Sequence, residues 1–508
     1  MSNYTNKPYA IRKIVICLLV AVMLLSLLPF HVRADSEPVH FQDVRPEHWA
    51  YDYIERAYAD GAMEGMSGDP ENGTAVFSPD MKMTSGQFVS MLVKAFYQDE
   101  LKKTVSPDGN VWYAPYMTVA SDRGLLANTL EDFMKGGDSP INRYYMSVIL
   151  IRLVTDKASI TLSQEEISAA KEEIADWSQI EEDDVWKHFT YYIASAYALD
   201  LLKGIDDEGT FAGFDSMTRA TAAVVYSRIA DYVAAKQNEN HFNIVFEGDW
   251  DAITSPDYKE AIEKEFYTVY PRLWARWGYA RVPKTIHVHA LSKNEMEDES
   301  AAAYASLTYD PDLGYLVPHV AISIDFANQY PDHYILSHEL THVVQSYVNI
   351  TSSWWVENMA GYGRFRYCCW ADDGSMDDFD FHVATDESLY TWSYDADDNC
   401  HWFFAYMDDH YPTSEDGYGL IDSIHLAIRR GTLTSDAGAN QADSAINAIV
   451  RDVTGFETIE QLRQQYKKDL ETGSWTFDGF AKYADNSITE DLPNVPNPTY
   501  PNIATVMR

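Results

Sequence analysis

Residues 335–345, Ile-Leu-Ser-His-Glu-Leu-Thr-His-Val-Val-Gln, constrain this chain more than any other stretch. They contain H-E-x-x-H. On an α-helix His338 and His342 stand one turn apart on one face, so both imidazoles reach one ion. Glu339 follows the first histidine and reaches a water on that ion without ligating it. Neutral imidazoles suit Zn²⁺, which lowers the pKa of its water, and the carboxylate takes the proton as that water attacks a carbonyl. Ile335, Leu336, Val343, Val344 and Tyr347 flank the motif, as expected of a helix buried on its other side.

Such a helix calls for a third ligand. Residues 354–364 begin a second apolar-rich run behind Thr351, Ser352 and Ser353, which are helix-capping types. Glu357 lies among apolar neighbours, where a carboxylate is costly unless paired or metal-bound. As a ligand it completes a set of two His and one Glu, one zinc per catalytic domain, with the fourth position left for water. Tyr362 and Arg364 in the same run are candidates to donate to the transition state or to orient the ligands. The competing reading is two surface histidines around a solvated glutamate, with Glu357 a first-turn residue favoured by the helix dipole.

The chain opens differently. Lys7, Arg12 and Lys13 precede an apolar run over 14–30, and Val32-Arg33-Ala34 offers small residues at cleavage positions. Residues 1–34 therefore read as a secretory signal peptide, with an uncleaved anchor as the rival. No other long apolar stretch exists, so the mature chain is expected outside the cell and not integral to a membrane. The net charge of −40 over 508 residues disfavours nucleic acid and anionic lipid as partners. Cys17 leaves with the leader. Cys368, Cys369 and Cys400 remain, which permits one disulfide from Cys400 to either neighbour and rules out a Cys-rich zinc site.

Between about 41 and 233 the chain repeats itself, with units at 38–100, 105–157 and 172–235. Each has two helix-period segments around a Gly/Asp-rich loop. The helix after each loop opens on Thr84, Asn142 or Thr218, and Arg143 and Arg219 follow in the second and third copies, whereas Ser85 stands in the first. These units resemble S-layer homology (SLH) domains, bacterial wall-anchoring modules. The resemblance implies that Arg143 and Arg219, with the aromatics Trp49 and Trp112, bind a secondary cell wall polysaccharide. Arginine suits an acidic glycan because its planar fork pairs with a carboxylate through two bonds. Core packing is the alternative for the tryptophans and a surface charge for the arginines.

A polar break at 236–240 marks the boundary to a second domain, 241–484. Residues 243–246 and 285–290 read as strands, the latter with His287 and His289 on an exposed face. Ser255-Pro256 is expected to cap a long helix that Pro271 kinks. Two more strands are read at 302–308 and 319–326. The second immediately precedes the H-E-x-x-H helix and is expected to line the cleft, with His319 a candidate to approach it. Acidic loops follow at 371–380 and 395–399. The second has calcium-like spacing, but Cys400 replaces the needed Gly, so a solvated loop is preferred and calcium is the lesser expectation. Helices are read over 400–411, 417–431, 442–453 and 458–469, with Gly455 and Gly473 as stops and a Pro-rich tail over 485–508.

The strands, the H-E-x-x-H stretch, the Trp-x-x-Glu-x-x-Ala-x-Tyr-x-Arg run over 354–364, Thr454-Gly455 and Leu462 with Tyr466 together resemble the basic secretory protein family of zinc metallopeptidases, over about 243–470. The resemblance implies a zincin-like fold, with zinc on His338, His342 and Glu357 and Glu339 as catalytic base. Asn358 and Gly361 depart from the family's usual Gly and Asp. The expectation is thus an α+β protein: an all-helical three-repeat SLH module holds it on the bacterial wall, and a zincin-like domain hydrolyses a protein or peptide substrate. A non-catalytic adhesion protein and a peptidoglycan-directed zinc amidase are the alternatives.

Overall fold

A computed structural model describes residues 41–476 apart from 105–110, 159, 161, 238, 240, 312–314, 332–334, 348–352, 369–399 and 434–438. The expected leader, the acidic loops at 371–380 and 395–399, Cys369 and the Pro-rich tail lie outside these residues. Helices and a four-stranded sheet make the chain mixed α and β. No described helix is long and apolar enough to cross a membrane.

Two hydrophobic cores form. The first spans residues 41 to 233 and also takes in Ala280; the second spans 242 to 475. In the first, three helices share one start: α1 (Ser85–Phe96) capped by Thr84, α2 (Arg143–Lys157) capped by Asn142, and α3 (Arg219–Lys236) capped by Thr218. Each cap accepts the backbone N–H three residues on, which satisfies a donor the helix cannot. Isolated bridges join 82 to 218, 84 to 140 and 142 to 216, so the three starts meet in a closed triangle. Each start also grips the next loop. Arg143 donates to the carbonyls of Phe211 and Lys203, both at 2.6 Å. Arg219 donates to those of Phe77 at 2.8 Å and Glu64 at 2.6 Å. Ser85 contributes its backbone amide, 2.9 Å from the Ser139 carbonyl.

In the second core the sheet runs β1 (Asn243–Gly248), β2 (Thr285–Leu291), β4 (Tyr315–Ser323), β3 (Ala303–Asp310), with β3 antiparallel at one edge and the other pairs parallel. Ile286, Val288, Ala290, Val320 and Ile322 alternate onto one buried face. Helix α4 (Tyr258–Trp277) packs there. Its N-cap is Asp257, immediately after the expected Ser255-Pro256, and the helix continues through Pro271. The strand before the H-E-x-x-H stretch ends at Ser323 and gives way to a short helix, Ile324–Gln329. That strand is β4, an interior strand. The edge nearest the motif is β3, a correction to the expected cleft wall.

The cores are docked through named bonds. Lys284 donates to the carbonyls of Thr155 (3.2 Å), Asp156 (2.9 Å) and Ala158 (3.4 Å) at the C-terminus of α2, where a cation meets the negative end of the helix dipole. Arg430 holds both oxygens of Asp122 at 2.7 and 2.5 Å. Arg123 donates to the Gly278 carbonyl at 3.0 Å.

Candidate metal centre

Helix α5 (Leu336–Gln345) carries the H-E-x-x-H residues. Leu336, Leu340, Val343 and Val344 are fully buried, each contributing roughly 1.5–3 kcal/mol, and this fixes which face looks outward. Ile335 provides no side-chain cap. The cap comes from α4, where the Glu265 carboxylate accepts the Ser337 N–H at 2.8 Å. Helix α6 (Ser353–Cys368) lies across α5. A Cβ on Gly363 would stand 2.5 Å from the Thr341 hydroxyl oxygen, so glycine permits the close crossing. Trp355, Met359 and Tyr362 bury one side of α6 and leave Glu357 on the cleft side.

Three side chains converge. The Nε2 atoms of His338 and His342 are 3.2 Å apart, and Glu357 Oε2 is 3.2 Å from the first and 3.5 Å from the second. Tetrahedral zinc with bonds of about 2.05 Å separates its ligands by about 3.3 Å, so the triangle has the size of one face of that polyhedron. Among the described residues no other group of three or more His, Cys, Asp or Glu comes together this closely. Burial pushes the Glu357 carboxyl up, but the hydrogen bonds and charges of His338 and His342 outweigh it and hold the group well below the usual carboxylate range. Burial likewise pulls His342 down, and Glu357 and Glu339 reverse this and leave it raised. Glu357 and His342 thus favour one another's charged forms across the triangle. Glu339 is 7% exposed and lines the same cleft.

Sequence alone assigns no role at the site to two further residues, Gln345 and Tyr347, the latter reading only as an apolar flank of the motif. Gln345 donates from Nε2 to the Val356 carbonyl at 3.0 Å and faces His342 Nδ1 with its oxygen at 2.7 Å. The imidazole must then donate from Nδ1, which leaves the Nε2 lone pair for the centre. Gln345 is three residues from His342, a spacing that brings side chains together on a helix.

Tyr347 is the second. Arg429 reaches His425 Nε2 at 2.7 Å and can only donate, so His425 Nδ1 carries the proton and donates to the Tyr347 oxygen, 2.7 Å away. Trp355 Nε1 also donates to that oxygen, at 3.2 Å. The Tyr347 hydroxyl proton is thus spent on neither partner, and Tyr347 lines the cleft with the metal triad. Tyr362 does not share this position. Its ring is fully buried and its hydroxyl donates to Asp408 at 2.6 Å, so the expected role near the reacting atoms is corrected to a structural one behind α6. Arg364 is half-buried on the same helix and lies within electrostatic reach of Glu265.

The cleft has a volume of about 480 Å³ and is bounded on one side by Ala303–Leu307 of β3 and by Pro318. His319 takes the opposite side of β4, with its ring nitrogens 3.1 Å from Ser306 and 3.2 Å from Thr308. His287 and His289 share that open sheet face, paired with Glu247 at 2.7 and 3.3 Å.

In the first unit, Trp49 and Trp112 are 63% and 54% exposed, so core packing does not account for them. Arg143 and Arg219 are 5% and 4% exposed. Contrary to the reading of surface charges, their guanidiniums are buried on backbone carbonyls.

Residues 40–89 match the S-layer homology domain. They cover the first helix of that unit, Tyr51–Ala59, and the opening of α1. S-layer homology domains typically bind cell wall polysaccharide, and this one indicates a cell-surface, wall-anchored protein. No curated protein matches the chain.

Proposed function

We propose that this is a wall-anchored zinc metallopeptidase of zincin-like fold, held by three S-layer homology repeats of which 40–89 is the first. The observation that carries the catalytic reading is the His338–His342–Glu357 triangle, sized for one tetrahedral ion beside an otherwise uncommitted Glu339. Bound there, zinc supplies Lewis acidity and an acidified water. The chain's own residues supply the rest. Glu339 accepts the proton of the attacking water and returns it to the leaving amine. Tyr347 donates its free hydroxyl proton to the developing oxyanion. The outer edge of β3 bonds an extended peptide backbone, which aligns the scissile bond with Glu339. Two supports favour the repeats: Thr84, Asn142 and Thr218 occupy equivalent caps, and their segments close one triangle. Their wall-glycan contacts fall to exposed aromatics such as Trp49 and Trp112, with Arg143 and Arg219 shaping the loops from below. The test is cleavage of a peptide library and of purified wall sacculi by the zinc-loaded full chain and by Glu339→Gln. Peptide cleavage by the parent alone supports the reading. Release of stem peptides from sacculi without peptide cleavage assigns the centre to an amidase, and no cleavage by either leaves an adhesion protein.

A further inference from the structure

A second cavity lies away from the metal cleft, where the two cores meet. It has a volume of about 940 Å³ and lies between residues 95–123 of the first core and the helices behind α5 and α6. That is ample for a ligand of drug size. Its charge is unlike the rest of the chain. Against 38 Lys and Arg for 78 Asp and Glu overall, the cavity wall carries Lys103, Arg123, Lys157, Arg276, Arg366 and Arg429 against five carboxylates.

Four of those carboxylates are already committed. Asp408 holds Arg276 and Arg366, Asp422 holds Arg276, Asp122 holds Arg430 and Asp99 holds Lys102. Among the described residues, Glu100 alone of the five has no ion pair. On the cationic side Lys103, Lys157 and Arg429 have none among the described residues. Lys157 lies over the Tyr97 ring at 3.9 Å. Arg429 spends its Nη2 on the carbonyls of Trp277 and Val344 and on His425, and its Nε is buried with no partner. A buried guanidinium without a carboxylate is costly. Burial pulls both Arg429 and Lys157 below their ordinary values, as charges short of a counter-ion behave.

We propose that this cavity binds an anionic ligand through a carboxylate or phosphate group held by Lys157 and Arg429, with Lys103 at the rim. Arg429 touches the last turn of α5 through the Val344 carbonyl and reaches Tyr347 through His425. Occupancy is therefore communicated to the metal cleft, and this second clause rests on the peptidase reading while the binding itself does not.

The experiment is calorimetric titration of the full chain with inorganic phosphate in one arm and galacturonate in the other, at low ionic strength. One saturable site is expected. Lys157→Met is expected to weaken it roughly tenfold, the loss of one charge-assisted contact, and Lys157→Arg to restore it. Lys103→Glu, at the rim, also weakens binding and provides the check should Lys157→Met fold poorly, as judged by its melting curve. The arm that saturates at lower concentration names the group. Absence of saturable heat in both arms, or parental affinity in folded Lys157→Met and Lys103→Glu, overturns the proposal whatever the cleavage assay returns.

Discussion

The carboxylate of Glu265, on helix α4, accepts the backbone N–H of Ser337, immediately before His338, at 2.8 Å. A side chain 72 residues away thereby sets where the H-E-x-x-H helix begins and how His338 projects. Glu265→Ala removes this acceptor and leaves a buried donor orphaned, at a cost of about 2 kcal/mol, and loosens zinc by roughly tenfold or more. Glu265→Gln keeps the acceptor and should retain most of both. Denaturant unfolding and competitive zinc titration of the two variants distinguish them.

The crossing of α5 and α6 is set by Gly363 against Thr341. With the Cβ position 2.5 Å from one Thr341 atom and 2.7 Å from another, Gly363→Ala forces the helices apart. Overpacking of this kind costs typically about 1–3 kcal/mol, and here it also withdraws Glu357 from the histidines. The expected outcome is weaker zinc binding, and Thr341→Ser in the Gly363→Ala background relieves part of it. Zinc affinity of the single and double variants checks this.

The convergence of His338, His342 and Glu357 was legible because H-E-x-x-H needs only helix geometry, and Glu357 stood out as a carboxylate in apolar surroundings. The supporting residues were hidden for a physical reason. Glu265, His425 and Arg429 act through tertiary contacts between helices far apart in the chain, and nothing local marks them. Tyr362 was misread because an aromatic beside a ligand on the same helix can face the core as easily as the cleft, and here Asp408 draws its hydroxyl inward. The exchange of β3 and β4 arose because strand order is not written in strand spacing: the antiparallel partner of β4 precedes it in sequence yet lies outside it in the sheet. In the first core, the helix starts were legible from Thr84, Asn142 and Thr218. The arginines after them looked surface-facing because the loops that bury them come from other units.

Those arginines supply a stability prediction. Arg219 closes the triangle through two carbonyls of the first loop. Arg219→Ala leaves both buried carbonyls short of a donor and costs about 2–4 kcal/mol. Arg219→Lys restores little, since an ammonium cannot span two acceptors with a fork. Ser85→Ala, at the equivalent position where the backbone makes the contact, should change stability by less than about 0.5 kcal/mol. Chemical denaturation followed by tryptophan fluorescence reads all three.

Lys284 gives the junction between the cores a pH dependence. Its amine is pulled down to about 8, first by burial and then by Arg123 and Lys157, with Asp156 opposing. The folded value lies below the unfolded one of 10.5, so between these two the unfolded chain holds a proton that the folded chain has released. Stability from this group therefore rises with pH across that window, by up to about 3 kcal/mol, and is lowest below it. Lys284→Met should flatten the rise between about pH 8 and pH 10.5, measured as the difference in unfolding midpoints from the parent.

The most direct test of the metal centre is zinc stoichiometry by elemental analysis of the full chain after dialysis, for the parent, Glu339→Gln, His338→Ala and Glu357→Ala. Coordination by His338, His342 and Glu357 predicts one zinc per chain in the parent and in Glu339→Gln, and much less than one in the other two. A parent without zinc, or a Glu357→Ala variant that keeps a full equivalent, contradicts it.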